Sequence, residues 1–193
     1  MILQDALCNI KAEVMALGYF NRFYDKAELI ERNHGNEKFP QVYVGNGQYQ
    51  PIYDLDVNGT GYIRKDGDVR SEVINNDRLQ VTSCNDDNPL IDLVFPLRLV
   101  AAVPKKTLSD NAYSDDMLVF DLLAIIGRRQ SAVVNTHSVT GRVVSYDTDR
   151  DTVWSSEVRG IDKQVKLDIS YVSINFTLTF RSALDCIRQN CNY

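Results

Sequence analysis

Two short stretches carry oxygen-bearing side chains at spacings that could hold a calcium ion. The first is DVNGTGYIRKDG, residues 56 to 67. Against a twelve-residue calcium loop, Asp56, Asn58 and Thr60 fall at the first, third and fifth positions, with Gly61 sixth and Ile63 eighth. The twelfth position decides against it, because a carboxylate must chelate the ion there and this chain has Gly67. Arg64 and Lys65 also put two cations where an ion's charge tolerates them least. The preceding QYQPIYDL contains Pro51, Ile52 and Tyr53, which does not read as an entering helix. Turn chemistry accounts for the same letters. Asn58-Gly59 suits a type I′ turn, whose central residues both need positive φ. That register predicts a protruding hairpin arm over about residues 50–66 in which Val57 faces Thr60, Leu55 faces Tyr62 and Tyr53 faces Arg64.

The second stretch is DTDRDTVWSSE. Asp147, Asp149 and Asp151 alternate and Trp154 takes the eighth place, but Thr152 replaces the glycine and Glu157 arrives one residue early. Three carboxylates in an irregular loop could hold a cation, which would make the chain a calcium-dependent binding module. The plainer expectation is a solvated acidic turn partly offset by Arg150, with no bound metal. Other chemistry is sparse. His34 and His137 lie far apart, and Cys8, Cys84, Cys186 and Cys191 show no zinc-ligand spacing and read as free thiols. No serine or cysteine sits in a nucleophile elbow and no glycine-rich phosphate loop is present. Asp54 and Asp56 read as exposed turn residues. The expectation is a protein without catalysis or cofactor.

The elements that must carry these residues follow from periodicity. Leu3, Ala6, Leu7, Ile10, Val14 and Leu17 make one helical stripe, stopped at Gly18. Residues 19–39 read as an aromatic strand and then a short helix around Lys26 to Arg32. FPQVYVGNGQYQPIYDLDV reads as two strands split at Gly45-Asn46-Gly47, and RLQVTSC as another. In LIDLVFPLRLVAAVP the apolar residues alternate, and Pro96 predicts an edge or a bulge. SDDMLVFDLLAIIGRR is the clearest helix. Ser114 can cap it, its acids and arginines suit its two ends, and its apolar residues cover more than one stripe. That breadth predicts burial against a sheet, or at a subunit contact, over much of its surface. In VKLDISYVSINFTLTF the alternation changes phase, predicting a bulge near Tyr171-Val172. The sum is a single α+β domain over residues 1–193: a mostly antiparallel sheet packed by an N-terminal and a central helix.

At 193 residues with 44% hydrophobic and 24% charged content, the chain can bury a sizeable core. It shows no membrane span and no basic leader, which predicts synthesis in the cytoplasm. A formal net charge of −5 argues against gripping nucleic acid. The positive residues Arg64, Lys65 and Arg70 read either as an edge-protecting face or as an arm meeting an acidic neighbour.

The order of these elements resembles the tail-terminator and tail-completion family of tailed bacteriophages. It rests on an N-terminal helix (ILQDALCNIKAEVMAL), FPQVYVG at a YP-x-V-like strand, and the arm DLDVNGTGYIRK. A core strand (LIDLVFPLRLVA), a helix on the sheet (DDMLVFDLLAIIG) and the closing strand ISYVSINFTLTF complete it. The resemblance implies a structural virion subunit in a ring of six or twelve at the head–tail or neck junction, between portal and tail proteins. It implies no catalytic residues and a lumen that DNA crosses without specific binding, which a net acidic subunit suits. Rings close through heterologous contacts, and the arm is the expected one: Tyr53, Leu55, Val57, Tyr62, Ile63, Arg64 and Lys65 against a neighbour.

Overall fold

The computed structural model describes residues 2–52, 59–74, 90–108, 114–128, 132–134, 137–160 and 168–183. Helix α1 (Ile2–Ala16) leads into β1 (Arg22–Arg32), a 3-10 turn at Asn33–Gly35, β2 (Glu37–Gly45) and β3 (Gln48–Pro51). Then come β4 (Thr60–Lys65), β5 (Arg70–Ile74), β6 (Leu90–Pro104), α2 (Ser114–Gly127), β7 (Ala132–Val134), β8 (His137–Asp147), α3 (Arg150–Glu157) and β9 (Ile169–Ala183). The described strands form one sheet in the order β3-β2-β1-β4-β6-β9-β8-β7, with β5 paired to β6 beyond the end of β4. Each pairing is antiparallel except β1 with β4, so the fold is α+β. Among the described residues no helix is long and apolar enough to cross a membrane.

The long central pair organises the rest. β6 and β9 run in register for their full lengths, from Leu90 opposite Ala183 to Pro104 opposite Ile169. Odd positions of β6 (Leu97, Leu99, Ala101, Val103) and even positions of β9 (Val172, Ile174, Phe176, Leu178, Phe180) share one face. Against that face lie Ala6, Leu7, Ile10 and Val14 of α1 and Leu118, Leu122, Ile125 and Ile126 of α2. The other face carries a smaller cluster in which Val42, Tyr62, Val100, Ala102 and Tyr171 meet Val153 of α3.

Four expectations change on this frame. Residues 26–32 continue β1 as strand rather than turning helical: Ala27 to Arg32 pair residue by residue with Val42 to Glu37 of β2, and Ala27 is buried in the core of the α3 face. β9 has no slip against β6: residues 169–174 are buried on both faces, since α3 covers the second face there, so the apolar letters change phase without a bulge. Pro96 sits in a central strand. Its carbonyl accepts from Asp66 N at 3.0 Å, so its N-side edge points to the break between β4 and β5. Residues 150–157, read as part of an acidic loop, are helix α3.

The predicted arm changes most. β4 is hydrogen-bonded on both sides, parallel to β1 and antiparallel to β6, so neither of its edges is open to a hairpin partner; the other half of the predicted arm, residues 53–58, lies outside the described residues. Gly59 receives the start of β1 instead: Asn21 N donates to its carbonyl at 2.9 Å, and a Cβ on it would lie 2.3 Å from Tyr19 O. With φ at +81°, no other residue fits there without strain. RLQVTSC, at 78–84, lies outside the described residues.

Candidate assembly surfaces

Of the seven expected arm contacts, three are core. Tyr62, Ile63 and Arg64 are 0%, 1% and 7% exposed, so they cannot meet a neighbour from within the folded subunit. Tyr53, Leu55 and Val57 lie outside the described residues, and Lys65 is exposed at the end of β4. Alternation sends Ile63 to the helix-covered face and Tyr62 and Arg64 to the α3 face, where they meet Glu157.

Glu157, fully buried, is the hub of that face. Arg64 donates to it twice, Nε to Oε2 and Nη2 to Oε1, each at 2.9 Å, in the fork geometry that suits a carboxylate. The Tyr62 hydroxyl donates to Oε2 at 2.8 Å. Arg98 brings Nε to 3.1 Å from Oε1 as an ion pair whose N–H is not aimed at the oxygen, and its Nη2 donates to Ser156 Oγ at 2.7 Å. Arg64 Nη1 reaches Asp66 Oδ1 at 2.5 Å, so two guanidiniums meet two carboxylates. Burial, and then the Glu157 charge beside it, pushes the Tyr62 phenol well up, which keeps it a donor. Burial opposes charging Arg64, but the hydrogen bonds and charges of Glu157 and Asp66 outweigh it and raise its pKa. Glu157 and Tyr62 are fully buried and both Glu157 oxygens are engaged from within the chain, so the cluster fastens α3 to β4 and β6.

The acidic stretch serves the same helix. Asp147 Oδ1 accepts from Asp149 N at 2.8 Å, and Asp149 Oδ1 accepts from Thr152 N at 2.8 Å as the N-cap of α3. Hydrogen bonds from the Thr152 side chain and backbone hold Asp149 below the usual carboxylate range. Asp151 turns to Arg150 at 3.0 Å. The three carboxylates that alternate in sequence are therefore spent on a turn, a cap and an ion pair. Among the described residues no group of three or more His, Cys, Asp or Glu converges as metal ligands would. The turn Asp147–Asp149 had the right letters for capping, and Val153 and Glu157 at i and i+4 were its unread inward face.

A cleft of about 680 Å³ opens where β1 diverges from β4 beneath the first turns of α1, over Leu3, Leu7, Leu29, Ile63 and Leu97. Its charged lining comprises Asp25, Lys26, Glu28, Arg64, Lys65 and Asp66. Asp25 on its wall is already held by Gln4, by Cys8 Sγ at 3.4 Å and by Lys11 at 3.2 Å, which pin α1 to β1.

What remains open is apolar surface on one side of the molecule. β8 pairs with β9 along its length, while β7 covers only residues 137–139 of its outer edge; among the described residues nothing pairs with that edge from Thr140 to Asp147. A bulge between Val143 and Ser145 turns the strand there, leaving Val144 and Tyr146 65% and 57% exposed. α2, packed over β8 and β9, turns Leu118, Leu122, Ile125 and Ile126 inward and leaves Met117, Phe120 and Ala124 outside. The wide apolar coverage of this helix thus divides into a buried stripe and an unpartnered one. Compared with protein-family models and with curated proteins, the chain matches none.

Proposed function

We propose that the protein is a structural, non-catalytic subunit of a closed ring, of the kind that joins head to tail in a tailed bacteriophage. The observation that carries this reading is the outer edge of β8, with backbone groups unpaired from Thr140 to Asp147 among the described residues and Val144 and Tyr146 exposed beside them. An edge of this kind is a template for a neighbouring chain, and soluble proteins normally blunt or cover it. A contact from this edge to a different surface of the next copy is heterologous, and it closes into a ring when the rotation permits. The buried Glu157 cluster supports the non-catalytic part, since both oxygens of its carboxylate are engaged by Arg64 and Tyr62 within the subunit. The N-terminal helix, the central antiparallel sheet and the helix packed on it accord with the head–tail joining resemblance. Portal, neck or tail proteins are the proposed neighbours, with DNA crossing the lumen unbound.

Negative-stain electron microscopy of the concentrated protein tests this. Closed rings of uniform size, six or twelve subunits each, are expected from the natural chain, and Tyr146→Glu should leave a folded subunit that forms none. Particles that stay single at every concentration, or rings indifferent to Tyr146→Glu combined with Val144→Glu, would overturn it.

A further inference from the structure

We infer that the outer face of α2 is a second, two-fold contact, in which the helix packs antiparallel against α2 of another copy. On the side opposite the core residues, Met117, Phe120, Ala124 and the half-buried Gly127 follow one another three or four apart, flanked by the exposed Asp116 and Arg128. This stripe is complementary to itself when reversed. With a two-fold axis level with residue 122, Asp116 faces Arg128 of the second copy, Met117 faces its Gly127, and Phe120 faces its Ala124. Opposite charges meet at both ends of the seam, and each large side chain meets a small one, as close helix packing requires. The antiparallel arrangement also sets each acidic helix start beside a basic helix end.

Two observations inside the subunit point to a missing partner. Gly127 keeps a φ outside the positive range for which a C-terminal glycine is usually selected, and a Cβ built on it meets nothing within 4 Å. Neither its backbone conformation nor packing against the described residues accounts for glycine there, whereas a Met117 arriving from a second copy does. Phe120, meanwhile, is 70% exposed, the largest exposure among the described large hydrophobic residues. Asp116 and Arg128 make no ion pair with any described residue. The contact goes beyond the ring reading. A ring closes through unlike surfaces, while this seam joins like to like, giving a dimer in solution or two rings set face to face.

Sedimentation velocity of the full chain over a concentration series tests it, with circular dichroism to verify folding. One helix pair buries less than a standard interface, so the ring-breaking Tyr146→Glu protein should pass from monomer to dimer as concentration rises. Gly127→Leu fills the gap without disturbing the subunit and should abolish the dimer. Asp116→Arg should also abolish it, and adding Arg128→Asp to that variant should restore it by re-forming both ion pairs with their signs exchanged. The ring-breaking Tyr146→Glu should leave this dimer unchanged, so failure of either contact is separately visible. A Tyr146→Glu chain that stays monomeric at every concentration, a dimer indifferent to Gly127→Leu, or a double charge reversal without rescue would overturn the proposal.

Discussion

The two faces of the sheet are closed by different physics. On one, α1 and α2 lay hydrocarbon on hydrocarbon: Ile10, Leu118, Leu122 and Ile126 against Leu99, Val172, Ile174 and Phe176. On the other, an eight-residue helix is fastened by a buried carboxylate between two arginines and a tyrosine. A helix that short cannot hold itself, since isolated helices under about a dozen residues are marginal in water. An apolar interface loses stability in proportion to what is removed. An ionic one loses most when a single partner goes, because the remaining charges stay buried without compensation.

The largest expected effect follows from that asymmetry. Glu157→Ala should destabilise the fold by about 3–5 kcal/mol, because it removes the carboxylate shared by the buried Arg64 and the part-buried Arg98 and leaves Arg64 only its Asp66 contact. Replacing the cluster as a unit, Arg64→Met with Arg98→Met and Glu157→Leu, should recover most of that loss, since volume-matched apolar packing rivals a buried ion pair. Chemical denaturation of the single and triple variants measures both. A triple variant no more stable than Glu157→Ala would show that the cluster stabilises beyond what desolvation permits.

On the apolar face the expected loss is slightly smaller and needs no rescue partner. Leu122→Ala empties a fully buried position beneath α2 and should cost about 3 kcal/mol, transfer and cavity together. Its midpoint shift should be insensitive to salt and to pH between 5 and 8, unlike changes in charged contacts. A marked pH dependence there would mean that α2 also rests on titrating contacts.

The contrast explains which parts of the chain could be read from sequence. Stripes of like residues announce themselves: α1, the inner face of α2, β6 and β9 were legible because apolar letters recur at 3.6 or 2. The same stripe logic detected that α2 had more apolar surface than one core contact needs. Partners distant in the chain leave no such trace. Arg64 and Glu157 are 93 residues apart, and their charges read as surface until the parallel β1–β4 pairing put β4 in the middle of the sheet. The Asn58-Gly59 letters misled for a related reason. A left-handed glycine serves equally at a hairpin tip or where another backbone crosses closely, and Tyr19 O beside Gly59 is the second case. In residues 147–157, acidic alternation could serve a metal or a helix start, and only the hydrogen bonds of Asp149 distinguish them.

A polar pin on the apolar face gives a finer comparison. Burial pushes the Asp25 pKa up, but its own backbone N–H, Lys11 and Cys8 outweigh that and hold it below its ordinary 3.8. A carboxyl lowered on folding contributes stability that is present above its unfolded pKa and lost as pH falls through the folded one. Asp25→Asn should therefore be less stable than the natural chain at pH 7, and the gap should close between about pH 5 and pH 2. Thermal midpoints across that range measure it, and a gap that is flat with pH would assign Asp25 a packing role.

The smallest effect separates the two readings of the acidic stretch. Asp149 is exposed and caps α3 through Thr152 N, and the sign of its lowered pKa places its contribution above its ordinary 3.8, fading as acid protonates it. Asparagine also accepts at an N-cap, so Asp149→Asn should keep nearly the natural midpoint at pH 7, while Asp149→Ala should lower it. Because α3 is anchored at its far end by Glu157, that loss should stay well below the loss from Glu157→Ala. The two changes should also fall short of additive, since both loosen one helix. A carboxylate that held calcium would behave in the opposite way. Calcium would raise the midpoint of the natural chain and not of Asp149→Asn, and a rise of that kind would make the cap secondary to an ion site.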